Sequence, residues 1–142
     1  MARFASAQVG LTQAIDTVVD EANQSGQGAD NAVTTTSFTA TVAQLINGVI
    51  RLSGQAAINV TTPTAAQIVA AIFNCQVGSW FEFTLQNNNS GTATVVAGTG
   101  VTLAGTLTAP TTNKTQIYKG IVTNATLGSE AVKLVGLLVA GA

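Results

Sequence analysis

Near the start of the chain, apolar residues recur with the period of a helix. Leu11, Ala14, Ile15, Val18, Val19 and Ala22 fall on one face, and Thr12, Gln13, Asp16, Thr17, Asp20 and Glu21 on the other. That spacing predicts an amphipathic helix over residues 11–22. Three helical turns are marginal in water without a surface to dock on. Residues 23–32 follow, with two glycines among polar or small side chains, and read as a linker. The chain therefore divides into an N-terminal arm and linker, 1–32, and a body, 33–142.

In the body the period shortens to two. Residues 34–42 alternate weakly, with Phe38, Ala40 and Val42 on one face, and residues 49–52 form a short apolar strand between Gly48 and Gly54. Thr62 followed by Pro63 predicts a helix start, with Thr62 as the N-cap. Apolar residues from Ala65 to Phe73 surround that helix almost completely, so it is expected to be largely buried and to stop near Asn74. Residues 80–85 (WFEFTL) have the strongest strand character, with Trp80, Glu82 and Thr84 on one face and Phe81, Phe83 and Leu85 on the other. Residues 87–91 are loop-forming in every position.

Three seven-residue copies begin at Gly91, Gly98 and Gly105. An odd period reverses the strand face at each copy, which argues against a regular solenoid and for short strands in a meander. Residues 116–122 and 130–139 complete the strands, with a turn over 124–129 and Lys133 pointing outward. The expected fold is mainly β, a β-sandwich or small jelly-roll-like barrel with one short helix, preceded by the arm and its amphipathic helix. Few lysines or prolines guard its strand edges, which favours edges shared with neighbouring subunits.

Charge alters this picture most. Only 8% of the 142 residues are charged, against about 25% in ordinary soluble proteins. Residues 1–30 carry a net −3 and residues 31–142 a net +2. The chain holds 22 threonines and 10 asparagines, so its surface must be neutral and polar or covered by other protein. So few basic groups leave no phosphate-binding face, and no nucleic-acid partner is expected. No apolar leader follows Arg3, and the longest apolar run, 134–142, is shorter than a membrane helix. Synthesis in a cytoplasm is expected, with the single cysteine, Cys75, reduced, and no membrane partner.

Candidate chemistry is sparse. The chain has no histidine, so the usual neutral-pH base and the common catalytic triads are missing. Glu82 and Glu130 are the only body carboxylates that a glycosidase pair could use, and nothing in their spacing joins them. Asp16, Asp20 and Glu21 lie on a helical face rather than in a cation-binding loop. No catalytic residue, metal or cofactor is expected. The Thr-x-Thr pairs at 92–94 and 106–108 are too few for an ordered ice-binding array.

Several segments keep a recognisable order: Ile46-Asn47-Gly48-Val49-Ile50, Thr62-Pro63-Thr64-Ala65-Ala66-Gln67-Ile68-Val69-Ala70-Ala71-Ile72, Gln76-Val77-Gly78 and Phe81-Glu82-Phe83-Thr84. Gly98-Thr99-Gly100-Val101-Thr102-Leu103 and the run from Thr123 to Val132 follow. From Gly48 to Leu134 the chain resembles a group of small structural proteins of tailed bacteriophages and other large DNA viruses. The resemblance implies a β-rich, often trimeric capsid decoration (cement) or fibre protein, without catalytic residues. The expected partners are then the major capsid protein and copies of the chain itself, on the capsid exterior of a virion assembled in a host cytoplasm. The arm lies outside the resemblance; its apolar residues Phe4, Leu11, Ile15, Val18 and Val19 are the expected capsid contacts. The alternative is a head or tail fibre adhesin that recognises host glycan through Trp80, Tyr118 and Asn88.

Overall fold

The computed structural model describes residues 30–33, 37–54, 56–104 and 111–141. Phe4, Leu11, Ile15, Val18 and Val19, with the whole 11–22 segment, lie outside the described residues. The elements in chain order are β1 (Asp30–Val33), β2 (Phe38–Thr39), α1 (Val42–Leu45), β3 (Val49–Leu52) and β4 (Ile58–Thr61). Then come α2 (Ala65–Ala71), β5 (Trp80–Asn87), β6 (Ala93–Val96), β7 (Val101–Ala104), β8 (Lys114–Asn124) and β9 (Ala131–Gly141). The fold is mainly β, as expected, and β1 begins inside the stretch read as linker.

Among the described residues one sheet has the order β1-β3-β5-β8-β9-β7 and the other β2-β4-β6, and neither closes into a barrel. Among the described residues only β5–β8 and β8–β9 are antiparallel, and the other five ladders are parallel. This corrects the expected meander, and it departs from a jelly roll, whose strands are antiparallel. The chain instead passes three times from the large sheet to the small one, stacking each pass in parallel on the last. Val49 pairs with Thr84 and Ile58 with Ala93, so the second and third passes keep one 35-residue offset in both sheets. The seven-residue copies are not these passes: β6 and β7, from adjacent copies, enter different sheets.

Among the described residues there are two helices where one was expected in the body, and both start alike. Residues 41–46 (TVAQLI) and 64–69 (TAAQIV) each place Thr three residues before Gln. In α1 the Gln44 N–H donates to Thr41 Oγ1 at 3.2 Å, and the Thr41 N–H donates to Gln44 Oε1 at 2.8 Å. Thr64 and Gln67 repeat the arrangement in α2 at 3.2 and 3.0 Å. This reciprocal capping satisfies two otherwise orphaned donors, and of the strand expected over 34–42 it turns the end, from Val42, into a helix, while Phe38–Thr39 stay a strand. It also moves the N-cap of α2 from Thr62 to Thr64, because only Thr64 has a glutamine three residues on. Thr62 is buried instead, its Oγ1 accepting the Gly98 N–H at 2.8 Å across successive passes. α2 buries only Ala65 and Ile68. Its other apolar residues include three alanines, small enough to sit at the surface, so the expectation of an all-round buried helix does not hold.

The core lies between the sheets and under the helices. It joins Ile50, Leu52, Phe81, Phe83 and Leu85 of the large sheet to Ile58, Val60, Ala93 and Val95 of the small one, and to Leu45, Ala65 and Ile68 of the helices. Alternation in β5 is as the sequence predicts, and it continues to Asn87. Gly120 on β8 sits beneath the Phe81 ring, where a β-carbon would overlap the ring atoms.

Candidate functional site

The outward face of β5, β8 and β9 gathers most of the exposed chemistry. Cross-strand register sets two rows there: Trp80, Ile121 and Lys133, then Glu82, Lys119 and Val135. Trp80 is 57% exposed, and the Lys119 ammonium stands 4.2 Å from its ring centroid. A cation over an indole face is attracted by the ring quadrupole, and an exposed pair of this kind contributes about 0.5–1 kcal/mol.

β5 outruns β3 at this end. β3 begins at Val49 opposite Thr84, whose N–H donates to Gly48 O at 3.0 Å, so Trp80–Phe83 extend past the start of β3. The step leaves an open notch of about 270 Å³ bordered by Asn47, Val49, Glu82, Thr84 and Ile117.

The candidate glycan residues do not meet. Tyr118 is fully buried, its ring stacked on Phe83, so it makes no surface contact; this corrects its expected role. Burial also pushes its phenol well above the usual tyrosine range. Asn88 is exposed, but it follows the last residue of β5 while Trp80 is the first, a separation of about 25 Å at strand spacing. Asn87 and Asn89 face inward and hold the turn. Asn87 Nδ2 donates to Gly91 O at 2.8 Å, and the Asn89 N–H donates to Asn87 Oδ1 at 3.0 Å. Asn89 Nδ2 also donates to Ala56 O on the preceding pass.

The two body carboxylates stand apart. Glu82 shares a row with Val135, and Glu130 lies five residues before Val135. Glu130 is engaged locally, accepting the Gly128 N–H at 3.0 Å. Among the described residues no three of His, Cys, Asp and Glu cluster, and no helix is long and apolar enough to cross a membrane.

Sequence reasoning missed three exposed apolar side chains. Phe73 and Val77 lie on the connection from α2 into Trp80, exposed by 64% and 68%. Leu127, at 93%, tips the β8–β9 hairpin. A run of apolar residues predicts burial, and nothing in the local period marks these three as exceptions. The hairpin turn is held by its own hydrogen bonds: the Thr126 N–H donates to Asn124 Oδ1 at 2.9 Å and the Ser129 N–H to Thr126 O at 2.9 Å. Compared with protein-family models, curated proteins and solved structures, the chain matches none.

Proposed function

We propose that this chain is a virion structural protein: a capsid decoration protein that binds the major capsid shell from outside, as a trimer, and cements neighbouring subunits. The observation that carries the reading is the make-up of the surface. Val49, Phe73, Val77, Trp80, Val96, Leu127 and Leu137 are exposed among the described residues. The whole stretch 31–142 has only Arg51, Glu82, Lys114, Lys119, Glu130 and Lys133 to keep it wet. Large apolar side chains as numerous as charges suit a surface made to be covered. The sequence resemblance to small phage structural proteins supports the same reading. We read the two sheets with their shared core as a sandwich-like body and the arm as the capsid-binding element, with synthesis in the host cytoplasm.

Burial of neutral surface supplies the adhesion, at about 25 cal/mol per Å² of apolar area. Many copies reinforce one shell against internal pressure. The test is to mix the full chain with purified shells and count bound copies. Saturation in proportion to the number of shell subunits supports cementing; a few copies per particle supports the fibre reading. That second reading keeps one supporting observation, the exposed Trp80 with Lys119 over its ring, an aromatic platform a sugar can stack on.

A further inference from the structure

Within eight residues of chain, the connection into β5 exposes Phe73, Val77 and Trp80, and the neighbouring β8–β9 hairpin projects Leu127. The Gly78 N–H donates to Val122 O at 2.8 Å, and the Val122 N–H donates to Ser79 O at 2.8 Å. These bonds tie the connection bearing Phe73 and Val77 to the base of the hairpin whose tip is Leu127. The turn over 124–130 carries its own hydrogen bonds, so Leu127 is held out rather than left loose. Leu127 does not cover Trp80 of its own chain, since both remain exposed.

We propose that this end is the self-association surface: Leu127 of one copy seats on the Phe73–Val77–Trp80 patch of the next. The inference deepens the oligomeric part of the proposed function and rests on it. Three observations select a second copy as the occupant. The first is charge. Glu82, Lys119 and Lys133 stand on the strands at this end and Glu130 in the turn just before β9, two charges of each sign. No net field attracts a strongly charged partner, and the 11–22 segment, with three acids and no base, meets no basic excess. A copy carrying the same balance is not repelled.

The second is area. Four side chains this exposed present on the order of 400–500 Å² of apolar surface, the range that marks interaction sites. In a head-to-tail contact Leu127 comes from one copy and the other three from the next, so together they amount to about a quarter to a third of the ~1,600 Å² a standard interface buries in all, and they form its apolar centre. The third is shape. A projection and its receiving patch on the same chain form a head-to-tail contact, and such contacts close into rings when the rotation permits.

The test uses the full chain, with Leu127→Ser as one variant and Phe73→Ser/Val77→Ser as another. All three positions are exposed, so folding should persist, and near-ultraviolet circular dichroism checks it. Native mass should fall from oligomer to protomer in each variant, with self-dissociation constants raised about tenfold or more. Emission from Trp80, the only tryptophan, should move to longer wavelength as the patch becomes wet. Mixing the two variants restores one intact contact and should yield a mixed dimer. A Val96→Thr control, on the other sheet, should stay oligomeric.

Variants that keep the wild-type mass would overturn the inference. If they also lost shell binding, the patch would be the capsid contact, and the decoration reading would stand without it. A wild-type chain that is monomeric would overturn this inference together with the trimer, while shell binding, measured separately, would still decide the decoration reading.

Discussion

Tyr118 and Phe83 face each other across the β5–β8 ladder, their rings stacked with centroids 5.0 Å apart and planes inclined by 15°. The pair fixes the inner face of the large sheet, and it sets a polar atom where nothing satisfies it. Tyr118 Oη is buried without a hydrogen-bond partner. An unsatisfied buried hydroxyl costs about 1–3 kcal/mol, whereas the ring contributes fully to the core. Tyr118→Phe should therefore leave stability unchanged or raise it by about 1 kcal/mol in urea unfolding, and Tyr118→Ala should cost about 3–5 kcal/mol. A clear loss in Tyr118→Phe would mean the hydroxyl has found a partner in solution.

The same burial sets a response to alkali. Below pH 10.0, the ordinary phenol value, Tyr118 is neutral in both folded and unfolded chains. Above it the unfolded chain ionises while the buried phenol does not, so stability falls by up to about 1.4 kcal/mol per pH unit. This is the chain's only tyrosine, so tyrosinate absorbance reports it directly. Ionisation should coincide with unfolding, and Tyr118→Phe should remove that part of the alkaline loss. A phenol that titrates near pH 10 in the folded protein would contradict its burial.

Gly120 is a matter of room. A methyl group there meets the Phe81 ring, so Gly120→Ala should cost about 1–3 kcal/mol by overpacking. Combining it with Phe81→Leu should recover part of that loss, because the two residues share one space. Strict additivity in a double-mutant cycle would show that the ring moves aside.

Thr64 and Thr62 test the helix start. Thr64→Ala should cost about 1 kcal/mol by loss of the cap. Thr62→Ala should cost about 1–3 kcal/mol, because it strands the Gly98 N–H between passes. Faster amide exchange at Gln67 should follow only the first change, and faster exchange at Gly98 only the second.

The arm has its own outcome. Deleting residues 2–22 should leave a folded, self-associating body and abolish attachment to shells in a sedimentation assay. Normal shell binding by the truncated chain would remove the arm from the account.

What the sequence made legible was local. β5 is plain because Phe81, Phe83 and Leu85 alternate with Trp80, Glu82 and Thr84 without interruption. The capping pairs Thr41–Gln44 and Thr64–Gln67 stand in the sequence too, but alternation over 34–42 masks the first, and Pro63 after Thr62 points to a start two residues before the second. Partners were not legible: alternation says which face a residue takes, not which strand lies beside it. The parallel stacking of Ile58 on Ala93 therefore left no local trace. For the site, Lys119 on the wet face of β8 already placed its neighbour Tyr118 toward the core. The exposure of Phe73 and Leu127 depends on what does not cover them, and no periodicity carries that.

Mass measurement of the native full chain, alone and with purified capsid shells, bears most directly on whether this sparsely charged surface exists to be covered. A discrete trimer in dilute buffer that transfers onto shells is the expected result. A stable protomer that stays in solution beside the shells, with Phe73, Trp80 and Leu127 still wet, would contradict it.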